Sequence, residues 1–135
     1  MAGSDSDYLE DVLLDHVLGA DAYTPDTPLF IALYSVAPSD AGGGTEFSAG
    51  NYARLSVTNN LTNFPAASGG AKSNGTSFDF PVATGTNWGN CVAVGIHDAV
   101  SAGNLLKWAT VDTAKDIDIG DTAKFPIGSL DFTHD

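Results

Sequence analysis

PLFIALYSVAPSDAGGGTEFSAGNYARLSVT, from Pro28 to Thr58, decides the fold class. It opens on PLFIALYSV, a long apolar run entered through a proline, which predicts a strand buried on both faces. It closes on YARLSVT, Tyr52 to Thr58, where apolar and polar residues alternate as in a strand with one wet face. Between the two lies a glycine-rich stretch. A phosphate cradle would need those glycines between a strand and a helix, followed by a lysine and a hydroxyl. GGGTEFSAG, Gly42 to Gly50, has no lysine, carries Glu46 and leads into a strand. It is therefore read as a strand-to-strand connection whose glycines permit positive φ and close backbone approach. Its polar tip is the candidate subunit contact: Gly42, Gly43, Gly44, Thr45 and Glu46.

Working outward, nearly everything after Pro28 reads as strand. TSFDFPV (Thr76 to Val82) alternates around Phe78 and Phe80, and CVAVGIHD (Cys91 to Asp98) is a core strand holding Gly95. SAGN (Ser101 to Asn104) is a hairpin turn answered by NLLKWATV (Asn104 to Val111). The end of the chain predicts three short strands, Asp116 to Ile119, Thr122 to Ile127 and Leu130 to Thr133. Asn59 to Gly75 is rich in Asn, Ser, Ala and Gly and reads as a long loop of the kind used for binding or contact.

Ahead of these strands stands one helix, Ser4 to Gly19. Leu9, Val12, Leu13, His16 and Val17 share a face, Asp7 with Glu10 fits a capping box, Ser4 or Ser6 is the alternative cap, and Gly19 supplies the stop. About seven or eight strands at short spacing, one helix and no βαβ rhythm predict a mainly β domain, an antiparallel β-sandwich or barrel with an N-terminal amphipathic helix. The whole chain, 1–135, reads as one domain: helix over 4–19, β-domain over 28–135.

Charge narrows the partners. The formal net charge is −12, and nine acids precede the first basic residue, Arg54. Such a surface repels nucleic-acid phosphates and anionic membranes alike, and suits either solubility or docking on a basic or neutral protein. The start, MAGSDSDYLED, lacks the basic and apolar regions of a signal peptide, and no run reaches the ~18 apolar residues of a membrane span. Synthesis and folding in a host cytoplasm are expected. One cysteine, Cys91, sits in an apolar run and reads as a small core residue.

No catalytic, cofactor or metal motif emerges. His16, His97 and His134 share no zinc-ligand spacing. DIDIGD, Asp116 to Asp121, has a faint likeness to a calcium loop, but alternation places Asp116 and Asp118 on the wet face of a strand and no bidentate Glu follows. His97 and Asp98 are neighbours in a strand and point to opposite faces, so they do not make a catalytic pair. Of Trp88, Trp108, Tyr23, Tyr34 and Tyr52, most lie in apolar runs and read as core; Trp88, in the turn GTNWGN, is the one expected nearest the surface and joins the candidate contacts, although a packed loop residue is the favoured reading.

Several segments are familiar as a set. SDYLEDVLLDHVLG, AYTP, IALYSVAPSDAGGGTE and NYARLSV, then FPVATGTNWG, VGIHDAVSAGNLLKWA and the GDT-containing end, resemble a family of small structural proteins of tailed bacteriophages. Its members are commonly labelled phage tail fibre proteins, and related β-domains serve as head decoration (cement) proteins. The likeness runs from about Ser6 to Phe132, with APSDAGGGTE and YAR its most specific pieces, and departs at Asn59 to Ser73. It implies a non-enzymatic virion protein, on the head surface or the tail. The leading expectation is a capsid decoration protein bridging shell subunits; the alternative is a tail fibre, tail-tip or head-fibre component. Expected partners are the major capsid protein or other virion proteins, and a homo-oligomer, by analogy a trimer.

Overall fold

The computed structural model describes residues 3–134. Among these, the elements in chain order are β1 (Ser4–Asp5), α1 (Asp7–Gly19), β2 (Leu29–Val36), β3 (Thr45–Glu46), β4 (Leu55–Val57), β5 (Ala71–Ser73), β6 (Phe78–Asp79), β7 (Gly89–His97), β8 (Leu105–Ile117), β9 (Lys124–Phe125) and β10 (Asp131–Thr133). The protein is mainly β, and every strand pairing is antiparallel. A six-stranded sheet runs β1-β8-β7-β2-β3, with β4 also on β2; β5 with β10 and β6 with β9 form two ribbons. The layer opposite the main sheet is thus built from ribbons, loops and helix rather than from a second full sheet.

The apolar run that opened the sequence is the centre of the molecule. Ile31, Ala32, Leu33 and Tyr34 of β2 are all buried. Register assigns them to two faces. Ile31 pairs with Ile96 and Leu33 with Val94 on one; Ala32 pairs with Gly95 and Tyr34 with Ala93 on the other. The first face carries the main core, closed by Leu9 of α1 and by Phe64, Phe78, Phe80, Trp88 and Leu130. The second carries a small cluster of Ala32, Tyr34 and Ala93. Gly95 is required there: a Cβ would stand 2.9 Å from the Tyr34 ring and 3.0 Å from Leu105.

Two short strands share one edge of β2. β4 pairs with Leu29 to Ile31, and β3 pairs with Tyr34 and Val36. Leu33 falls in the gap. Its carbonyl accepts from Phe47 N, and its N–H donates to the Tyr52 hydroxyl at 3.0 Å. A side chain thus completes the ladder where the backbone leaves it, as buried peptide groups require.

Several expectations are corrected. The helix starts at Asp7, not Ser4, because Ser4 and Asp5 pair with Trp108 and Lys107 as β1; Ser6 is the N-cap, accepting from Leu9 N. Its stop is Ala20, in the left-handed region at φ 55°, rather than Gly19. Of the predicted face, Leu9 is buried and Val12 and Leu13 are half-buried, but His16 and Val17 are exposed, because the last turns run past the core. The segments expected at Asn104–Val111 and Asp116–Ile119 are largely one strand, β8, which stays paired with β7 although the register shifts between Cys91 and Ala93 and again between Ile96 and His97. It ends at Ile117. Asp118 and Asp121 then close a turn, and Ile119 is exposed.

The polar segment Asn59 to Gly75 includes β5 and ties its asparagines into local hydrogen bonds, with Asn74 buried, Asn59 and Asn63 half-buried and Asn60 exposed. Asn60 Oδ1 accepts from Thr62 N and Asn63 N, and Asn63 binds Thr58 O and Thr76 Oγ1. Asn74, 1% exposed, donates to Thr76 O and Pro126 O and accepts from Leu130 N. A buried amide tying its own loop to the end of the chain explains much of that polarity structurally.

Candidate functional site

The glycine loop is a tight, internally bonded turn. Ser39 and Gly42 exchange both backbone hydrogen bonds, and Gly42, Gly43 and Gly44 have φ of 91°, 78° and 74°. The three serve different ends. A Cβ on Gly44 would lie 2.6 Å from Val36 O and 2.7 Å from Pro38 N, so the fold needs glycine there; around Gly42 and Gly43 the space is open. The loop is fastened from behind by Asp40, whose carbonyl accepts from Asp7 N and whose Oδ1 accepts from Trp108 Nε1 at 2.9 Å. Gly43, Gly44 and Thr45 are exposed, and Gly42 is half-buried.

Glu46 belongs to a different structure from the loop tip. Arg54 binds it as a fork, Nε to Oε2 at 2.9 Å and Nη2 to Oε1 at 2.8 Å, while Tyr52 donates to Oε2 at 2.7 Å. The remaining Arg54 nitrogen, Nη1, donates to Ala99 O and Ala102 O in the β7–β8 turn. One side chain therefore joins β3, β4 and the hairpin turn. Burial pushes the Glu46 pKa up, but the hydrogen bonds from Arg54 and Tyr52 outweigh it and hold the carboxyl below its ordinary value. Burial first, then the hydrogen bond and charge of Glu46, hold Tyr52 well above the ordinary tyrosine range, although the hydrogen bond from Leu33 N pulls the other way.

Trp88 is a packed loop residue, the favoured reading, and not a surface contact. It is 5% exposed, edge-on to Tyr52 and Phe80, and its Nε1 donates to Asn51 Oδ1 at 3.0 Å. Turn residues surround it in sequence, yet Asn51 draws the indole inward by giving its one polar atom a partner. The six candidate contacts are thus not one patch. Gly42 to Thr45 form a surface tip, Glu46 is held in an ion pair, and Trp88 is core.

Behind the loop lies a cleft of about 380 Å³ between the start of α1, the loop and the β7–β8 turn, with Tyr34 and His97 among its lining residues. Tyr34 Oη and His97 Nε2 are 2.6 Å apart. Burial raises the Tyr34 pKa to about 12 and, with Arg54 nearby, lowers that of His97 to about 4. Both groups are therefore neutral near pH 7, a hydrogen-bonded pair rather than an acid and base ready to exchange charge. His97 Nδ1 is buried with no hydrogen-bond partner among the described residues. Asp98 turns away and accepts from Asn104 N and Nδ2, at 2.7 and 2.9 Å, as alternation requires.

His97 makes stability depend on pH. Its folded pKa of about 4 lies below the ordinary 6.5, so the unfolded chain takes up the proton first. Its contribution is whole above pH 6.5 and is lost as pH falls through 4, an effect on the order of 3 kcal/mol. Urea unfolding at a series of pH values should show this decline, and His97→Gln should flatten it.

Among the described residues no three His, Cys, Asp or Glu side chains converge as a metal ligand set, and no helix is long and apolar enough to cross a membrane. Asn51 and Arg54 lie in NYARLSV, a stretch the resemblance had marked, but nothing in the sequence pointed to their partners; Asn74, which also organises the loops, lies in no such motif. No curated protein matches the chain. A family model described as podophage GP4 fiber I protein gp80 matches residues 4–133. That span takes in the glycine loop, the Glu46–Arg54 pair and both faces of the sheet, so the chain belongs to this podophage fibre protein family.

Proposed function

We propose that the protein is a non-enzymatic structural component of a podophage fibre. The carrying observation is the family match across residues 4–133, which names a fibre protein and favours the fibre alternative over the head-decoration reading. The geometry is consistent with a passive building block. The His97–Tyr34 pair is neutral, the Glu46 carboxylate is held by Arg54 and Tyr52, and the loop between β2 and β3 is pinned by its own backbone. Partners are then other virion proteins, with the exposed tip from Gly42 to Thr45 available to a neighbouring subunit, including a further copy in a homo-oligomer.

Immunogold labelling of intact virions tests the reading. Gold at the tail or at discrete fibre positions is the expected result. Gold spread evenly over the head would overturn it and restore decoration.

A further inference from the structure

The last turns of α1 leave the body of the protein. Residues 14–22 are all exposed. Leu14, Val17 and Leu18 are 57%, 73% and 80% exposed. They stand at i, i+3 and i+4, so they form one apolar ridge; Val17 continues the Leu9–Leu13 stripe beyond the end of the core, and Leu14 and Leu18 widen it away from the body. Scattered exposed leucines are ordinary on a protein surface; three aligned on one helix tip are not accounted for by this fold.

The surroundings say what would cover the ridge. On the flank of α1 that carries Tyr8, Val12 and Asp15, which reaches the ridge through Asp15 three residues before Leu18, a cleft of about 380 Å³ is lined by Asp15, Asp21, Asp26 and Asp98 with Tyr8 and Tyr23, and no lysine or arginine lines it. α1 itself carries Asp7, Glu10, Asp11 and Asp15, and no lysine or arginine precedes Arg54. A second copy seated on this face would bring acid against acid between chains of net charge −12. A basic surface would meet carboxylates in a cleft that two tyrosines also line.

We propose that the exposed end of α1 is a docking surface for another virion protein that presents an apolar groove rimmed by lysine or arginine. Leu14, Val17 and Leu18 enter the groove, and a basic side chain of the partner enters the aspartate–tyrosine cleft. This names the kind of partner for the fibre reading and rests on it.

The test uses phage carrying the full-length chain as wild type, as Leu18→Asp, and as Asp15→Lys with Asp21→Lys. Copies per virion are read by quantitative immunoblot, and each purified protein is checked by thermal unfolding. All the altered residues are exposed, so the melting temperatures should stay within a few degrees of wild type. The expected result is about tenfold or greater loss of copies per virion for both variants, since a central apolar anchor and its complementary charge dominate such contacts. Wild-type copy number in either folded variant overturns the proposal. So does sedimentation showing that the wild-type chain self-associates and Leu18→Asp makes it monomeric, because a second copy is then the occupant. Absence of the wild-type protein from virions would sink the fibre reading and this inference together, a failure seen in the control rather than in the variants.

Discussion

Arg54→Met should lower stability by about 3–5 kcal/mol, the range for removing one partner of a buried ion pair. For a domain of this size that is a fall in melting temperature of roughly 10 °C or more. The expectation rests on what is left behind. The Arg54 side chain is only 7% exposed, and Glu46 would keep a carboxylate that no longer has its fork. Ala99 O and Ala102 O would lose their donor, loosening the β7–β8 turn. Adding Glu46→Gln should recover part of the loss, because the stranded charge goes with it. Urea unfolding of both variants measures this, and a loss under about 1 kcal/mol would show that the pair behaves as an exposed surface bridge. The pH dependence has a fixed sign. The Glu46 carboxyl is held below its ordinary value, so its contribution is present above the usual carboxylate range and is lost on acidification. In Arg54→Met that part of the acid sensitivity should shrink.

Trp88→Ala should cost a similar amount, about 3–5 kcal/mol, as truncations of buried aromatics do. The indole packs against Tyr52 at 5.3 Å and Phe80 at 6.2 Å between ring centres. Its loss also removes one of the donors that Asn51 Oδ1 holds together, the other being Thr84 N. Tyr52 completes the ladder at Leu33, so a cavity beside it weakens the edge of β2 as well. Trp88→Phe, which keeps most of the ring contacts, should lose clearly less. A Trp88→Ala protein that melts like wild type but fails to assemble would instead make Trp88 a subunit contact.

The legible part of the fold was carried by period and punctuation. The apolar run from Pro28 to Val36, the alternation at Tyr52 to Thr58 and the turn at Ser101 to Asn104 place β2, β4 and the β7–β8 hairpin, because burial on one face or two dictates residue type directly. The glycine triplet was legible as a connection, but that a side chain at Gly44 would clash with Val36 O appears only in the fold. Alternation failed at Asp116 to Ile119. Ile117 and Ile119 look equivalent in sequence, but β7 has no further residues to pair beyond Gly89, so Ile117 is buried and Ile119 is not.

Side-chain fate was less legible than strand position. An arginine after nine acids reads as a solvated counter-charge; its partners, Glu46, Ala99 and Ala102, lie up to 48 residues away and meet only because β3, β4 and the hairpin share one end of the sheet. Trp88 could be read as a packed loop residue, but its partner Asn51 lies 37 residues earlier and was not legible. The asparagines of 59–75 looked like a contact loop; Asn60, Asn63 and Asn74 hold the segment together by hydrogen bonds within the chain, and Asn74 does so from inside. By itself the sequence determined a mainly β, strongly acidic domain with one leading helix and its likeness to phage structural proteins, because composition, periodicity and motif are local or additive properties. Only the tertiary structure decided which polar groups are paired inside, which aromatics are core, and that the end of the helix is left uncovered. Those are outcomes of which distant segments meet, and they fix the free energy of each side chain more strongly than its neighbours in the chain do.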